Sequence, residues 1–348
     1  MLTLAAYPRR GPYLDALYAA LERAGVRVVP GDGSITWLLR HVSEIDWFHF
    51  HWPSLHYARR DDLVATAWKL VRFLATLLII RLAGKRIAWT AHNLMPHDRG
   101  RRISVAFDVL VRHAMIGLAS VIFVHGPTAA RVLAARFPRA GGKTSIIDHG
   151  HFIDAYPNVV SRAEARARTG IGEATYLYLF VGLCKPYKNL VGLIDAFGRT
   201  EGDATLLICG QFQSEAYLRE VRARAAPQDG RIRVLAGRVP DEDLQLYLNA
   251  CDAVVLPYRE ILTSGAAMLA ISFGRPVVAP RMGYLEDVIG PEYGMLYEPG
   301  EPDGLTGALA RVRERRFDPD AIRAHARSYD WDEIAGRTRK ALEAAQAD

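Results

Sequence analysis

The chain has 348 residues, half of them apolar and 24% charged, enough to bury more than one ordinary core and too apolar for a disordered segment. Its three cysteines, Cys184, Cys209 and Cys251, stand in no CxxC or ligand spacing, which argues against a disulfide scaffold or zinc module and for an intracellular protein with reduced thiols. The net charge of +6 is uneven: residues 1–150 carry 20 Lys and Arg against 10 Asp and Glu, and the rest 24 against 28. A basic first half suits anionic lipid, an anionic acceptor or nucleic acid, or reflects an Arg-rich composition alone. No charged leader precedes the first apolar strand and no uninterrupted apolar run reaches membrane length, so neither a signal peptide nor a transmembrane helix is expected.

In chain order, the first strand is predicted near 2–6 and runs into Tyr7-Pro8-Arg9-Arg10-Gly11-Pro12-Tyr13. Gly11 with Arg9 and Arg10 suits an acceptor carrying phosphate, or is an ordinary strand–helix loop with surface arginines. Strands near 26–29 and 46–50 follow, the latter ending in His49-Phe50-His51-Trp52. A helix from Leu63 to Leu82 has an apolar face broken by Lys69, Arg72 and Arg81, with Arg59, Arg60, Lys85 and Arg86 flanking it. Such a helix packs on a core with a solvated rim, or lies on an anionic membrane. A strand near 86–90 ends at Thr90-Ala91-His92-Asn93, with His97-Asp98 just beyond; strands near 120–124 and 144–147 precede His149 and His151. These histidine groups all stand at strand carboxyl ends, where an open α/β sheet binds ligands. No HExxH-like spacing joins them, so a metal is not expected.

The second half repeats the alternation, with strands near 176–181, 204–209, 231–235, 252–256 and 276–279. One strand ends at Val181-Gly182, followed by Lys185 and Lys188 at the mouth of a helix, where cations are badly placed against the helix dipole unless they hold an anion. Another breaks at Pro257-Tyr258, and Thr263-Ser264-Gly265 then opens a helix whose free N–H groups suit an anion. Gly210-Gln211-Phe212 and Arg238-Val239-Pro240 follow strands and are candidates to line a base pocket. The DED at 241–243 and DWD at 330–332 read as a helix start and a cap, and neither GxGxxG nor GxxxxGK[ST] is present. The pattern predicts an α/β protein of two doubly wound, Rossmann-like domains facing a cleft. Their bounds are 1–155 and 156–328, with a helix over 329–348 packing back toward the first.

The order Gly182-x-x-Lys185-x-x-Lys188-Asn189, then LLICG, Pro257-Tyr258, Ser264-Gly265, Phe273-Gly274-x-Pro276 and Gly283-x-x-Glu286 resembles the C-terminal half of group 1 glycosyltransferases with the GT-B fold. His51-Trp52-Pro53, Thr90 to His97, His149-Gly150-His151 and Lys185-Pro186-Tyr187-Lys188 extend the likeness over nearly the whole chain. They make it most similar to bacterial exopolysaccharide transferases such as the xanthan-type GDP-mannose:glycolipid β-mannosyltransferases. The resemblance implies transfer of a sugar from a nucleotide diphosphate donor, best GDP-mannose, to a saccharide or lipid-linked acceptor, with no metal and no nucleic acid involved. It further implies a cytoplasmic setting at the inner face of the membrane. Donor contacts fall on Gly182, Lys185, Lys188, Gln211, Tyr258, Thr263, Ser264, Gly265 and Glu286. Acceptor contacts fall on Arg9, Arg10, Gly11, Trp52, His92 and His151, and the proton acceptor is sought among Asp98, His97 and His51.

One departure matters. Retaining members carry Glu-x7-Glu, and here those positions are Ile261 and Leu269, with Glu260 one residue out of register. The usual ribose carboxylate and retaining constellation are therefore missing, and inversion is what the resemblance to the β-mannosyltransferases implies. The alternatives are a retaining transferase with another donor, a nucleotide-sugar 2-epimerase built on the same architecture, and a non-catalytic nucleotide-sugar-binding scaffold.

Overall fold

A computed structural model describes residues 1–58, 62–94, 102–228 and 230–347, without the side chains of 102–104. The chain forms two compact units, one of residues 1–150 with 329–348 and one of residues 151–328. The boundary lies at Gly150–His151, five residues before the expected 155/156. The linker stretch belongs with the second unit because its backbone is bonded there: the Phe152 N–H donates to Ser272 Oγ at 2.9 Å, and the Val159 N–H to Gln245 Oε1 at 2.9 Å.

The first unit holds a six-stranded sheet of β1 (Thr3–Tyr7), β2 (Arg27–Pro30), β3 (Trp47–Phe50), β4 (Arg86–Thr90), β5 (Val121–Val124) and β6 (Thr144–Ile146), in the order β2-β1-β3-β4-β5-β6. Every pairing is parallel, with Leu4 against Trp47 and Phe48 against Ile87. β1, β3 and β5 are buried throughout, as parallel strands covered on both faces must be. The final helix, Trp331–Ala347, packs on the first, Pro12–Arg23. Arg23 pairs with Asp332 at 2.6 Å, and the Arg339 guanidinium donates to the Ala24 carbonyl at 2.6 Å. A Cβ on Gly150 would fall 2.2 Å from the Trp331 ring, so only glycine lets the indole close over that strand end.

The second unit repeats the architecture with β7 (Tyr176–Val181), β8 (Ala204–Gly210), β9 (Ile232–Ala236), β10 (Ala253–Val255), β11 (Val277–Pro280) and β12 (Gly294–Tyr297), in the order β12-β11-β10-β7-β8-β9. The chain winds outward from β7 in one direction and from β10 in the other, so the reversal of strand order lies between these neighbours. That switch point is where an open α/β sheet leaves a crevice for ligands. Sequence periodicity missed β12, an edge strand that is only half-buried beyond Gly294. Gly294 lets it pair, because a Cβ there would fall 2.1 Å from the Val277 carbonyl oxygen.

The helix Leu63–Leu82 stands out by its composition. It forms one continuous segment with mean hydropathy 1.9, long and apolar enough by composition to cross a membrane although cations interrupt it. One side of it nevertheless packs into the first unit, burying Leu70, Phe73, Leu77 and Ile80.

Candidate functional site

In the second unit the site is assembled at the β7–β10 switch point. β7 gives way to Gly182 at φ 133°, where the chain leaves the strand and runs beside the end of β8. Cys184 bridges Phe212, with its N–H donating to the Gln211 carbonyl at 2.8 Å. A Cβ on Gly210 would lie 1.7 Å from the Gly182 carbonyl oxygen, so glycine there is a condition of the close approach. A turn over Pro186–Lys188 and Asn189 in the left-handed region (φ 57°) start the helix Leu190–Gly198.

Lys188 follows from that turn. Its side chain is buried, with Nζ 5.5 Å from the Phe180 ring centre and 5.4 Å from that of Tyr258. Burial lowers its pKa; the groups that favour its charge are Tyr187 and Cys184, and no carboxylate among the described residues pairs with it. Two aromatic faces offset only part of the cost of a desolvated ammonium. An anion beside it would complete the compensation, and Gly182 keeps the approach open, since a Cβ there would sit 3.6 Å from Nζ.

The loop after β10 closes on the same place. The Arg259 N–H donates to the Tyr187 carbonyl at 2.9 Å and its Nε to Asn189 Oδ1 at 3.0 Å, tying this loop to the Lys188 turn. Tyr258 lies over Lys188 and brings its hydroxyl to 3.4 Å from Ser264 Oγ; burial pushes that phenol up to about 12, so it stays protonated. Ser264 caps the helix Gly265–Ser272 by accepting from the Ala267 N–H at 3.3 Å. The Gly265 and Ala266 N–H groups remain directed out of the helix start, as the first amides of any helix are. Thr263 Oγ1 is buried without a partner. Gly182, Lys188, Tyr258, Thr263, Ser264 and Gly265 therefore lie on the elements that meet at this switch point. Lys185 is half-buried in the same turn, Gln211 is exposed at the end of β8, and Glu286 is exposed in the first turn of the helix Tyr284–Val288.

In the first unit, five histidines converge under the strand ends: His49 and His51 from β3, His92 after β4, His125 after β5 and His149 after β6. All are buried, and four surround the Tyr13 ring, with centres 5.8, 5.1, 5.5 and 4.7 Å away for His51, His92, His125 and His149. A hydrogen-bonded chain threads them: Thr90 Oγ1 to His49 Nε2 at 2.8 Å, His49 Nδ1 to the Tyr18 hydroxyl at 3.3 Å, that hydroxyl to His51 Nε2 at 2.8 Å, and His51 Nδ1 to His92 Nε2 at 2.9 Å. Trp52 stacks on His92 with ring centres 4.4 Å apart. Desolvation brings His49 and His149 to about 3 and His125 to about 4, and lowers His51 and His92 as well, so the cluster is neutral near pH 7. Among the described residues no group of three or more His, Cys, Asp or Glu is arranged to hold a metal ion.

This geometry corrects one role. His51 is 1% exposed and both its ring nitrogens are engaged inside the unit, so it cannot take a proton from an acceptor. His97 and Asp98 lie outside the described residues. Arg9 pairs at 3.5 Å with Glu22, Arg10 is exposed, and the Gly11 N–H donates to Asp15 Oδ2 at 3.3 Å. His151 falls in the second unit rather than with His149. Sequence reasoning missed Tyr13, Tyr18 and His125. The strand-end rule that flagged the other histidines applies to His125, which directly follows β5; the tyrosines carried no signal, because only folding brings their helix over the cluster.

Comparison with known proteins matches residues 175–315 to the family described as Glycosyl transferases group 1. GDP-mannose:glycolipid 4-beta-D-mannosyltransferase of Xanthomonas campestris pv. campestris is 30% identical over 87% of this chain and 80% of its own length. A D-inositol 3-phosphate glycosyltransferase of Corynebacterium efficiens is 26% identical over 72% of this chain and 61% of its own. Among solved structures, sucrose-phosphate synthase from Thermosynechococcus elongatus superposes with TM-score 0.73 at 18% identity, covering 99% of each chain. Anabaena HepE in complex with UDP and glucose gives 0.72 at 16% identity, also over 99% of each chain.

Proposed function

The chain belongs to the group 1 glycosyltransferases, with the GT-B fold, and from that premise we propose that it moves mannose from GDP-mannose to a lipid-linked saccharide, without a metal and with inversion at the anomeric carbon. One observation carries the donor half of this reading. Lys188 is a buried cation with no carboxylate partner among the described residues, set at the switch point beside the start of the helix Gly265–Ser272. A diphosphate leaving group needs positive charge or aimed N–H donors as its bridging bond breaks. Lys188 supplies the charge, with the Gly265 and Ala266 N–H groups and the Ser264 and Thr263 hydroxyls as donors; Lys185, Gly182 and Tyr258 shape the same pocket. Gln211 and Glu286 are assigned to the base and sugar ends.

The acceptor is assigned to the first unit, through Arg9, Arg10, Gly11, Trp52 and His92. Its hydroxyl attacks the anomeric carbon on the face opposite the diphosphate, and Asp98 or His97 takes its proton. His51 holds His92 through their shared hydrogen bond instead of acting as the base. Ile261 and Leu269 present apolar side chains where retaining members of the family carry carboxylates, which supports inversion.

The test is a thermal-shift series with GDP, UDP, ADP and dTDP, followed by transfer from GDP-mannose to a polyprenyl-diphosphate-linked saccharide with and without a chelator. GDP at about 100 times its Kd should stabilise the protein by about 2.7 kcal/mol. A β-linked product unaffected by chelation is expected. The reading fails if none of the four nucleotides stabilises the protein, or if the only product is an epimerised nucleotide sugar.

A further inference from the structure

The helix Leu63–Leu82 has two apolar sides, and only one faces the core. Thr66, Leu70, Phe73, Thr76, Leu77 and Ile80 are buried. On the opposite side Val64 is 81% exposed, Trp68 64%, Val71 59%, Leu78 51% and Leu82 78%. At about 100° per residue these five and Ala75 fall within about 40° of a single line. They form a stripe of about 27 Å running the length of the helix. Leu39 and Leu55 are also exposed, on the helices Ile35–His41 and Ser54–Tyr57 that pack against this one. Arg72 and Arg81 occupy its two shoulders, Lys69 lies beyond Arg72, and the helix contains no Asp or Glu.

We propose that this outward side is the surface by which the protein rests on an anionic lipid bilayer, lying in the plane of the headgroups with the stripe among the upper acyl carbons. A crossing is excluded because the other side is part of the core of the first unit, and taking it into lipid would dismantle that unit. Water is a poor neighbour for so long an ordered apolar stripe. A second copy of the chain is a poorer one than lipid: a two-fold contact through this side would enclose Arg72 and Arg81 at its edges, with no carboxylate on the helix to answer them. Lipid phosphates supply the missing charge on both shoulders while the acyl region receives the apolar line, and an indole at the boundary is favourably placed. The net charge of +10 over residues 1–150 favours approach to such a surface. For its purpose this surface rests on the glycolipid reading above, since it would hold the enzyme where a lipid-linked acceptor lies.

The test is flotation with phosphatidylcholine vesicles, with and without one-third phosphatidylglycerol, together with the emission of Trp68 taken as the difference between wild type and Trp68→Phe. Binding to the anionic vesicles alone, weakening with salt and shifting Trp68 emission to the blue, is expected. Arg72→Gln with Arg81→Gln should weaken it about 30-fold, the loss of two cations at the surface. Val71→Ser with Leu78→Ser should weaken binding to anionic vesicles at least as much, and each variant should keep the wild-type thermal shift with GDP, which shows that it is folded. The proposal is overturned if vesicles leave Trp68 unchanged, if the variants bind as wild type does, or if light scattering finds a dimer that Val71→Ser dissolves. Vesicle binding without mannosyl transfer would sink only the functional reading; transfer to a truncated soluble acceptor by a protein that ignores vesicles would sink only this one.

Discussion

Lowering the pH should unfold the first unit well before the second. His49, His51, His92, His125 and His149 are held neutral by burial, with folded pKa values below the ordinary value of 6.5. In the unfolded chain each titrates near that value, so below it the unfolded state binds more protons than the folded one. Stability therefore falls as pH falls, beginning near 6.5 and continuing down toward the folded values, and is flat above about 7.5. One pH unit below 6.5, each histidine contributes a loss of about 1.4 kcal/mol, and five together about 7 kcal/mol. That equals a large part of the roughly 5–15 kcal/mol that holds an ordinary domain together. The assay is built into the chain, because all six tryptophans (37, 47, 52, 68, 89 and 331) lie in the first unit, so indole emission reports it alone while far-ultraviolet circular dichroism reports both. The urea midpoint followed by emission should drop steeply between pH 7 and 5.5, with a residual dichroism transition from the second unit surviving. An emission midpoint that holds steady from pH 7.5 to 5.5 would refute the claim that the cluster is buried and neutral.

Lys188→Met should raise stability by about 1–2 kcal/mol, the desolvation cost of the ammonium less its contacts with two rings, while GDP affinity falls about 10–100-fold with the loss of a charge-assisted contact; differential scanning fluorimetry and titration calorimetry read the two effects separately. Tyr18→Phe removes the hydroxyl shared by His49 and His51 and leaves two buried ring nitrogens without it, so the emission-detected transition should lose about 2–4 kcal/mol while GDP binding to the second unit is untouched. Gly210→Ala drives a methyl into the Gly182 carbonyl, which should cost about 3 kcal/mol or more and abolish GDP binding in the protein that remains folded; a variant with wild-type affinity would show that the two strand ends can separate freely.

Much of the architecture was legible in the residues alone. Strands such as β4 and β7 are apolar runs bounded by charge or glycine, and their period and order require two parallel sheets whatever the partners are. Gly182, Lys188, Ser264 and Gly265 were legible for a similar reason: a glycine at a strand end, a cation where a helix dipole disfavours one, and a capping serine are local chemistry, stated within a few residues of sequence. The Ile261 and Leu269 departure was equally local. What no window of sequence contains is the environment of a side chain once distant elements meet. Lys188 reads as a cation placed for an anion, but its burial is invisible until Phe180 and Tyr258 close over it, and His51 reads as a base until Tyr18 and His92 occupy both its nitrogens. The helix Leu63–Leu82 has apolar residues all round, so its periodicity cannot say which side is core; only the packing of β4 and the neighbouring helices leaves Trp68 and Val71 outside. Burial is a property of contacts between residues far apart in the chain, and it decides charge state, hydrogen-bond availability and exposure together, which is why those were settled by the tertiary structure and the element order was not.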